Sequence, residues 1–494
     1  MAILLTLSQK DRGFFELVSQ AAFSNPFSDT RTELDIKIAD CSPSLPADKR
    51  IECVVANVIE RVKSLEEKGK ADINLYKKAD RDILEKAFLF ELFHIYSKKF
   101  DQLIADQIEN ADQPCPVPFA REALKRLGKR GFKSDDAQRL FAILYQIKRA
   151  YYFIDRGLIG ESRSMRELRL HLWNNVFTND IRIYERYLLN SMEDFSTLLL
   201  GETGTGKGAA AAAIGRSGYI PFDPQKNVFA ESFSSNFITI NLSLYPETLI
   251  ESELFGHKKG AFTGAIEKHQ GIFSRCSPHG SILLDEIGDV SPLVQVKLLQ
   301  LLHERTFSPV GSHETLRFNG RVIAATNRPL NELRKKGIFR NDFYYRLCSD
   351  CIVVPTLRQR LQENPHELDS MLNHVLKRLI GEESPELVTV VRNVIHSDVG
   401  SDYPWPGNVR ELEQAVRRIL LTKEYKGDSL PGQDLKELIV EGIDTGDLTA
   451  QELLSSYCNL LYKRFGTYEE IARRTNLDRR TVKKYIEFSQ GKAG

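Results

Sequence analysis

The stretch from Thr197 to Ile214 constrains this chain more than any other. Thr197 to Leu200 is a short apolar strand. It runs directly into GETGTGKG, that is Gly201, Glu202, Thr203, Gly204, Thr205, Gly206, Lys207 and Gly208, and Ala209 to Ile214 continues as an alanine-rich helix. Strand, glycine loop and helix in that order are the setting of a phosphate-cradling loop. Glycines let the backbone curl so that successive N–H groups point at phosphate oxygens, the helix N-terminus adds partial positive charge, and Lys207 reaches the β- and γ-phosphates. The pattern is incomplete at its end: Gly208 stands where a Ser or Thr hydroxyl ordinarily ligates Mg²⁺.

A nucleotide site needs a second half, a carboxylate for the metal and a base for water. GSILLDEIGD supplies both. Ile282 to Leu284 reads as a buried parallel strand that ends in Asp285 and Glu286. Ligands of open α/β sheets bind at the carboxyl ends of strands, so Asp285 is placed to orient hydrated Mg²⁺ and Glu286 to polarise the attacking water. A third strand, Arg321 to Ala325, ends in Thr326 and Asn327, and an amide there can sense a γ-phosphate.

At 494 residues the chain is long enough for about three domains. Its 68 basic and 67 acidic side chains exclude a general basic coat, so any nucleic-acid contact comes from a local patch. With 42% hydrophobic and 27% charged residues, most of it should fold. The seven cysteines are scattered without disulfide-framework spacing, which points to a reducing, cytoplasmic setting. Cys348 and Cys351 form a lone CxxC with no second ligand pair, which favours ordinary packing over zinc. No apolar run reaches the ~18 residues of a membrane span, and the first residues carry no cleavable leader, so no membrane association is expected.

Between the two halves of the nucleotide site lies ESELFGHKKGAFTGA, Glu251 to Ala265. The hexapeptide Gly260, Ala261, Phe262, Thr263, Gly264, Ala265 resembles the loop by which AAA+ activators of sigma-54 RNA polymerase, the bacterial enhancer-binding proteins, contact sigma-54. LLDEIGD, AATNRPL, FRNDFYYRL and YPWPGNVRELE follow in that family's order and spacing, and the resemblance runs from about Leu168 to Leu421. The resemblance implies an ATP- and Mg²⁺-dependent ATPase. Arg340 and Arg346 would reach a neighbouring subunit's nucleotide in a homo-oligomeric ring, expected to be a hexamer. Arg410 would report nucleotide state from the lid, and Asn241 would hold Glu286 in an idle position. The flanking glycines suit a mobile loop, and an exposed Phe262 suits a binding anchor. The other reading is a tight turn with Phe262 tucked inward. Where the family commonly has a glutamate this chain has Gly208, so metal binding leans on Asp285 and the phosphates. Arg216 to Phe237 is longer than the family's connection and has no role readable from sequence.

Lys426 to Leu448 reads as a glycine- and charge-rich linker with one helix at 434–440. From Thr449 onward nine basic residues face five acidic ones. Thr467 caps a helix through Glu470 and Ala472, Asn476 to Asp478 turns the chain, and RRTVKKYI follows as a second helix. This helix-turn-helix resembles the Fis-type DNA-binding domain of the same activators, with Arg479, Arg480, Thr481, Lys483 and Lys484 at or near the groove-facing side.

The expected fold is therefore α/β. A central AAA+ P-loop ATPase has a parallel sheet (161–350) and a helical lid (351–425). Before it stands a mixed α/β sensory domain (1–160), with a strand-like start at Ile3 to Leu7 and another alternating segment at Leu34 to Ile38. After the linker (426–448) comes an all-α tail (449–494). Helices are expected at Phe14 to Phe23, Arg81 to Ile108, Ala123 to Leu127 and Asp136 to Tyr152. A phosphoacceptor receiver is excluded, because Ser-Gln-Lys follows Leu7 where such domains carry an acidic pair. The functional expectation is a transcriptional activator that binds upstream promoter DNA and remodels the closed complex of sigma-54 RNA polymerase. One alternative stays open, a DNA-bound regulator or repressor without effective ATP-driven activation, whereas an AAA+ unfoldase or protease partner would leave the hexapeptide loop and the DNA-binding tail unexplained.

Overall fold

A computed structural model describes residues 4–111, 113–427, 439, 443 and 448–491, with the side chains of 463 and 487–491 left aside. The chain divides into two compact units, 1–393 with 403–417, and 394–402 with 418–494.

In the first unit, seven helices of ten residues or more precede the sheet among the described residues: α1 (Gln9–Phe23), α2 (Asp29–Ala39), α3 (Ala47–Glu67), α4 (Lys78–Glu109), α5 (Ala120–Lys129), α6 (Ser134–Gly157) and α7 (Arg163–Phe177). The expectation of a mixed α/β amino-terminal region is corrected here. Leu34 to Ile38 is helical, because Ser28 caps α2 by accepting from the Arg31 N–H and because Leu34 and Ile38, four apart, share its buried face. Of the strand expected at Ile3 to Leu7, one bridge from Leu5 to Tyr76 is formed. The helices expected within α1, α4, α5 and α6 are present and longer.

The sheet that follows is wholly parallel, in the order β5-β1-β4-β3-β2, with β1 Thr197–Leu200, β2 Phe237–Asn241, β3 Ser281–Asp285, β4 Arg321–Thr326 and β5 Asp350–Val353. Helices α8 (Lys207–Gly215), α9 (Glu247–Phe255), α10 (Pro292–Glu304) and α11 (Asn341–Leu347) cover its faces. Leu198, Ile282, Leu284, Val322 and Ala324 are buried, as strands covered on both faces require. A helical lid follows, α12 (Leu357–Glu363), α13 (Glu367–Ile380), α14 (Pro385–Asp398) and α15 (Asn408–Thr422).

The amino-terminal helices and the sheet share one hydrophobic core, which runs from Leu7 to Val354. The extended segment after α8 supplies the joint. Its hairpin, residues 222–229, places Phe222 and Phe229 against Phe141 and Tyr145 of α6, with Tyr145 stacked on Phe229 at 4.1 Å. Asn227 and Val117 exchange two hydrogen bonds. Polar bolts reinforce the apolar contact. Arg149 of α6, fully buried, donates to the carbonyls of Arg216 (2.8 Å) and Gly218 (2.6 Å), and Gln146 donates to that of Ser217 (2.9 Å). These carbonyls lie just beyond the C-terminus of α8. A second bolt is Asn175 of α7, which donates to Thr197 of β1 (3.0 Å) and Asp350 of β5 (2.5 Å) and accepts from Arg321 of β4 (2.8 Å). A third is Glu367 of α13, fully buried, which accepts from the N–H groups of Glu161 and Ser162 and pairs with Arg360.

In the second unit, α16 (Ala450–Phe465), α17 (Tyr468–Thr475) and α18 (Arg479–Gly491) pack around Cys458, Leu461, Ile471, Val482 and Ile486. Thr449 and Glu452 form a capping box at α16. The helix expected at 434–440 falls largely outside the described residues.

A chain that begins at Ser162 would lose the cover of Phe222, Phe229 and Phe233 together with the donors of Arg149. The expected outcome is strong binding of an anilinonaphthalene sulfonate dye and loss of the sharp calorimetric transition of the full chain. A truncated chain with a cooperative melt and no dye binding would show that the two regions fold independently.

Candidate functional site

The loop Gly201–Gly206 joins β1 to α8 through positive backbone angles at Gly201, Gly204 and Gly206. Its first four carbonyls are engaged. Lys207 Nζ donates to the carbonyls of Gly201 (2.7 Å) and Glu202 (3.0 Å), and Thr205 Oγ1 donates to that of Glu202 (2.9 Å). Asn408 of the lid donates to the carbonyl of Thr203 (3.1 Å), and the Val409 N–H to that of Gly204 (3.1 Å). The N–H groups of Gly204, Gly206, Lys207 and Gly208 meet no acceptor among the described residues. Four free amides at a helix N-terminus, beside an ammonium group, form an anion cradle. Burial pushes the pKa of Lys207 down, while Glu286 and Asp285 act against that.

Asp285 ends β3 and is half-buried; its Oδ1 accepts the Glu286 N–H (3.1 Å) and its Oδ2 has no partner among the described residues. A carboxylate oxygen free at the end of a strand, beside the cradle, fits the outer sphere of a hydrated Mg²⁺. Glu286 stands in the left-handed region at φ 56°, which turns the chain sharply at the strand end. Its Oε2 accepts the Asn327 N–H at 3.4 Å. Asn327 in turn donates to Thr203 Oγ1 (2.7 Å), so the end of β4 touches the loop directly. Asn241 pairs with Asp285 across the sheet, yet its side chain accepts from Ser243 and makes no bond to Glu286.

The lid approaches from the other side. Asn408, fully buried at φ 52°, accepts the Leu357 N–H (2.8 Å) and donates to Glu202 Oε2 (3.1 Å). Arg358 pairs with the same carboxylate and holds it below the usual range. The spacing of PTLRQR gave no sign of this role for Arg358. Arg410 lies beside Gly204, whose missing Cβ would come within 3.0 Å of the Arg410 Cβ and 2.2 Å of the Gly407 carbonyl.

Arg340 and Arg346 lie apart from this cluster. Arg340 is exposed and pairs with Asp342 (2.7 Å), whereas Arg346 is half-buried and donates twice to the Leu302 carbonyl (3.0 and 2.7 Å). The hexapeptide forms a closed turn: the Gly260 N–H donates to the Ala265 carbonyl (2.8 Å) and the Ala265 N–H to that of Phe262 (3.0 Å). Thr263 is exposed at its tip. Phe262 is 37% exposed, its ring edge-on to His257 at 4.9 Å, and Ile266 is 77% exposed. Phe262 thus rests against the base of the loop and still offers surface.

In the second unit, Val482 and Ile486 face the core of α18, which puts Arg480 and Lys484 on the opposite, solvent side. Thr481 is committed to capping by Asp478, and Arg479 pairs with Glu469 (2.8 Å). Lys483 is exposed beside them. All seven cysteines are free thiols, Cys351 is exposed rather than packed in a buried segment, and no metal-ligand cluster occurs among the described residues. No helix among these residues is long and apolar enough to cross a membrane.

Residues 178–352 match the sigma-54 interaction domain and residues 363–451 the AAA+ ATPase lid domain. The transcriptional regulatory protein ZraR of Klebsiella oxytoca is 35% identical over 335 residues, 66% of this chain and 67% of that protein. The chain belongs to the sigma-54-dependent activator family. The regulatory protein AtoC of Escherichia coli is 36% identical over 252 residues, half of each chain, and the Nif-specific regulatory protein of Azotobacter vinelandii is 39% identical over 243 residues, 49% of this chain and 43% of that one. The chain spans about half the length of these two relatives.

Two glycines of the loop separate backbone need from bulk. Gly204→Ala puts a Cβ into the Gly407 carbonyl at a positive φ and should cost about 1–3 kcal/mol or more. Gly208 has open space and helical geometry, so Gly208→Ala should stabilise by about 0.4–1 kcal/mol. Denaturant midpoints of the two variants check both signs.

Proposed function

We propose that this chain is an ATP-driven activator of transcription that acts on sigma-54 RNA polymerase from an upstream DNA site. The observation that carries the reading is convergence. Free loop amides, Lys207, the Asp285–Glu286 pair, Asn327 of the sheet and Asn408 of the lid all meet at one loop. The amides and Lys207 hold the phosphates, and Glu286 orients and deprotonates the attacking water. Asp285 would hold Mg²⁺ through water, and the metal would supply charge neutralisation of the phosphate oxygens. Asn327 and Arg410 report the presence of the γ-phosphate to sheet and lid. Asn241 restrains Glu286 in a state other than the one described, since here it caps the turn after β2.

Arg340 and Arg346 act in trans, in a ring that we take to be a hexamer. The bonds of Arg346 to the Leu302 carbonyl hold it within its own subunit until a neighbour docks. Gly260 to Ala265 present Phe262 and Thr263 to sigma-54. Arg480 and Lys484, with Arg479, Thr481 and Lys483 around them, enter the DNA groove from α18. Residues 1–160 regulate the ATPase from their shared core, and the protein works in the cytoplasm. The free loop amides and Lys207 keep the phosphate cradle despite Gly208, so a purely DNA-bound regulator without ATP-driven activation is not favoured.

The chemistry and its coupling should separate cleanly. Arg346→Ala should lower ATP hydrolysis by about 10³-fold with ATP binding retained. Phe262→Ala and Thr263→Ala should leave hydrolysis within about threefold while open-complex formation by sigma-54 polymerase collapses, because a transition-state arginine acts on the barrier and a distant loop does not. Normal promoter opening by either loop variant would refute the assignment.

On DNA, Arg480→Ala should relax sequence choice at a cost of about 1–3 kcal/mol, and Lys484→Ala should weaken all sequences alike and flatten the salt dependence. Titrations on specific and random duplexes at several salt concentrations measure both.

A further inference from the structure

A cavity of about 550 Å³ lies among the amino-terminal helices, bounded by α1 to α4, α6 and α7. Packed interiors leave few voids larger than a water molecule, whereas small-molecule sites run to ~300–1,000 Å³. Its walls are the rings of Phe23, Phe90, Phe93, Tyr151 and Trp173, and the inner face of α6 closes it with Leu140, Ile143, Leu144 and Ile147. This lining is mostly apolar with a few polar groups converging on it, the usual character of a ligand pocket.

His94 is one of those polar groups. It lines the cavity between the rings of Phe90 (4.4 Å) and Phe93 (5.2 Å), and it has no hydrogen bond to protein among the described residues. Burial pushes its pKa down to about 3, so the ring is neutral and offers one donor and one acceptor.

The charges sort in one direction. Arg31 is paired with Asp35 (2.8 Å), Lys148 with Asp101 (2.9 Å), and Glu185 with Arg139 (3.0 Å). That leaves Lys86 and Arg50 without an ion-pair partner among the described residues, against one exposed carboxylate, Asp48. Lys86 stands 5.3 Å over the ring of Phe23, where cation and aromatic wall meet.

We propose that this cavity binds a planar organic anion, its ring between the aromatic walls, its acidic group toward Lys86 and Arg50, and one polar atom on His94. An aromatic carboxylate is the matching chemical class. Binding here is separate from ATP hydrolysis and promoter opening, so its test stands whether or not the activator reading does.

Calorimetric titration of the full chain with naphthoate, and with uncharged naphthalenemethanol as the matched control, tests the proposal. One saturable site per chain is expected for naphthoate, with the alcohol about tenfold weaker for want of the charge contacts. Leu144→Trp fills the cavity and should abolish binding. Lys86→Met and His94→Leu should each weaken it about fivefold or more while the melting temperature stays near that of the unaltered chain. These two variants decide the matter if Leu144→Trp does not fold. Absence of saturable binding, equal affinity for acid and alcohol, or affinity unchanged in both Lys86→Met and His94→Leu would overturn the proposal.

Discussion

A loop can present its N–H groups to an anion only if its carbonyls are satisfied on the outside, and that requirement organises the centre of this molecule. An unpaired buried carbonyl costs about as much as a lost hydrogen bond, so a curled loop with four free amides needs donors packed around its back. Here Lys207 and Thr205 serve the first two carbonyls and the lid's Asn408 and Val409 serve the next two. The lid is therefore part of the cradle's own wall. Gly204 shows how closely, since a single methyl group would meet the Gly407 carbonyl at 2.2 Å. The loop is tied to α15 through these bonds and to β4 through the Asn327–Thr203 contact.

How much of this was legible in the sequence depended on whether the signal was local. The glycine loop between strand and helix, the acidic pair at a strand end and the short turn between the last two helices are contiguous strings, and their elements form at those positions. Leu34 to Ile38 misled because a two-residue alternation of apolar positions also contains the four-residue spacing of a helix; the Ser28 cap, three residues before Arg31, was the signal that decided it. Arg358 and Asn175 could not be read at all. Their partners, Glu202 in one case and Thr197, Arg321 and Asp350 in the other, are far away in sequence.

The segment from Arg216 to Phe237 carried no motif because its function is a surface. Phe222, Phe229 and Phe233 are spaced to cover the rings of α6, and such complementarity has no one-dimensional signature. The same holds for the broad apolar stripe of α4. Leu84, Phe88, Leu92 and Tyr96 fill the core, while Leu89 and Phe93, which widen the stripe, line the cavity.

Helix α6 joins these two surfaces, and its geometry says what the joint can transmit. Residues 140, 143, 144 and 147 follow the helical spacing along the cavity, and residues 146, 149 and 153 follow it on the side turned toward the end of α8. A helix is stiff over this length, so a side chain displaced on one face carries the opposite face with it. Arg149 is the sensitive point. It has no carboxylate partner among the described residues; its burial is balanced by two carbonyls and by the rings of Tyr145 and Phe233 at 4.8 and 5.6 Å. A buried cation held by directional bonds tolerates little displacement before those bonds are lost, since solvent cannot replace them. The carbonyls it holds follow the C-terminus of the helix whose other end is the phosphate cradle. The distance from cavity wall to nucleotide loop is thus spanned by two rigid helices and one set of short hydrogen bonds, and a change in how α6 packs must be absorbed by α8 or by breaking those bonds.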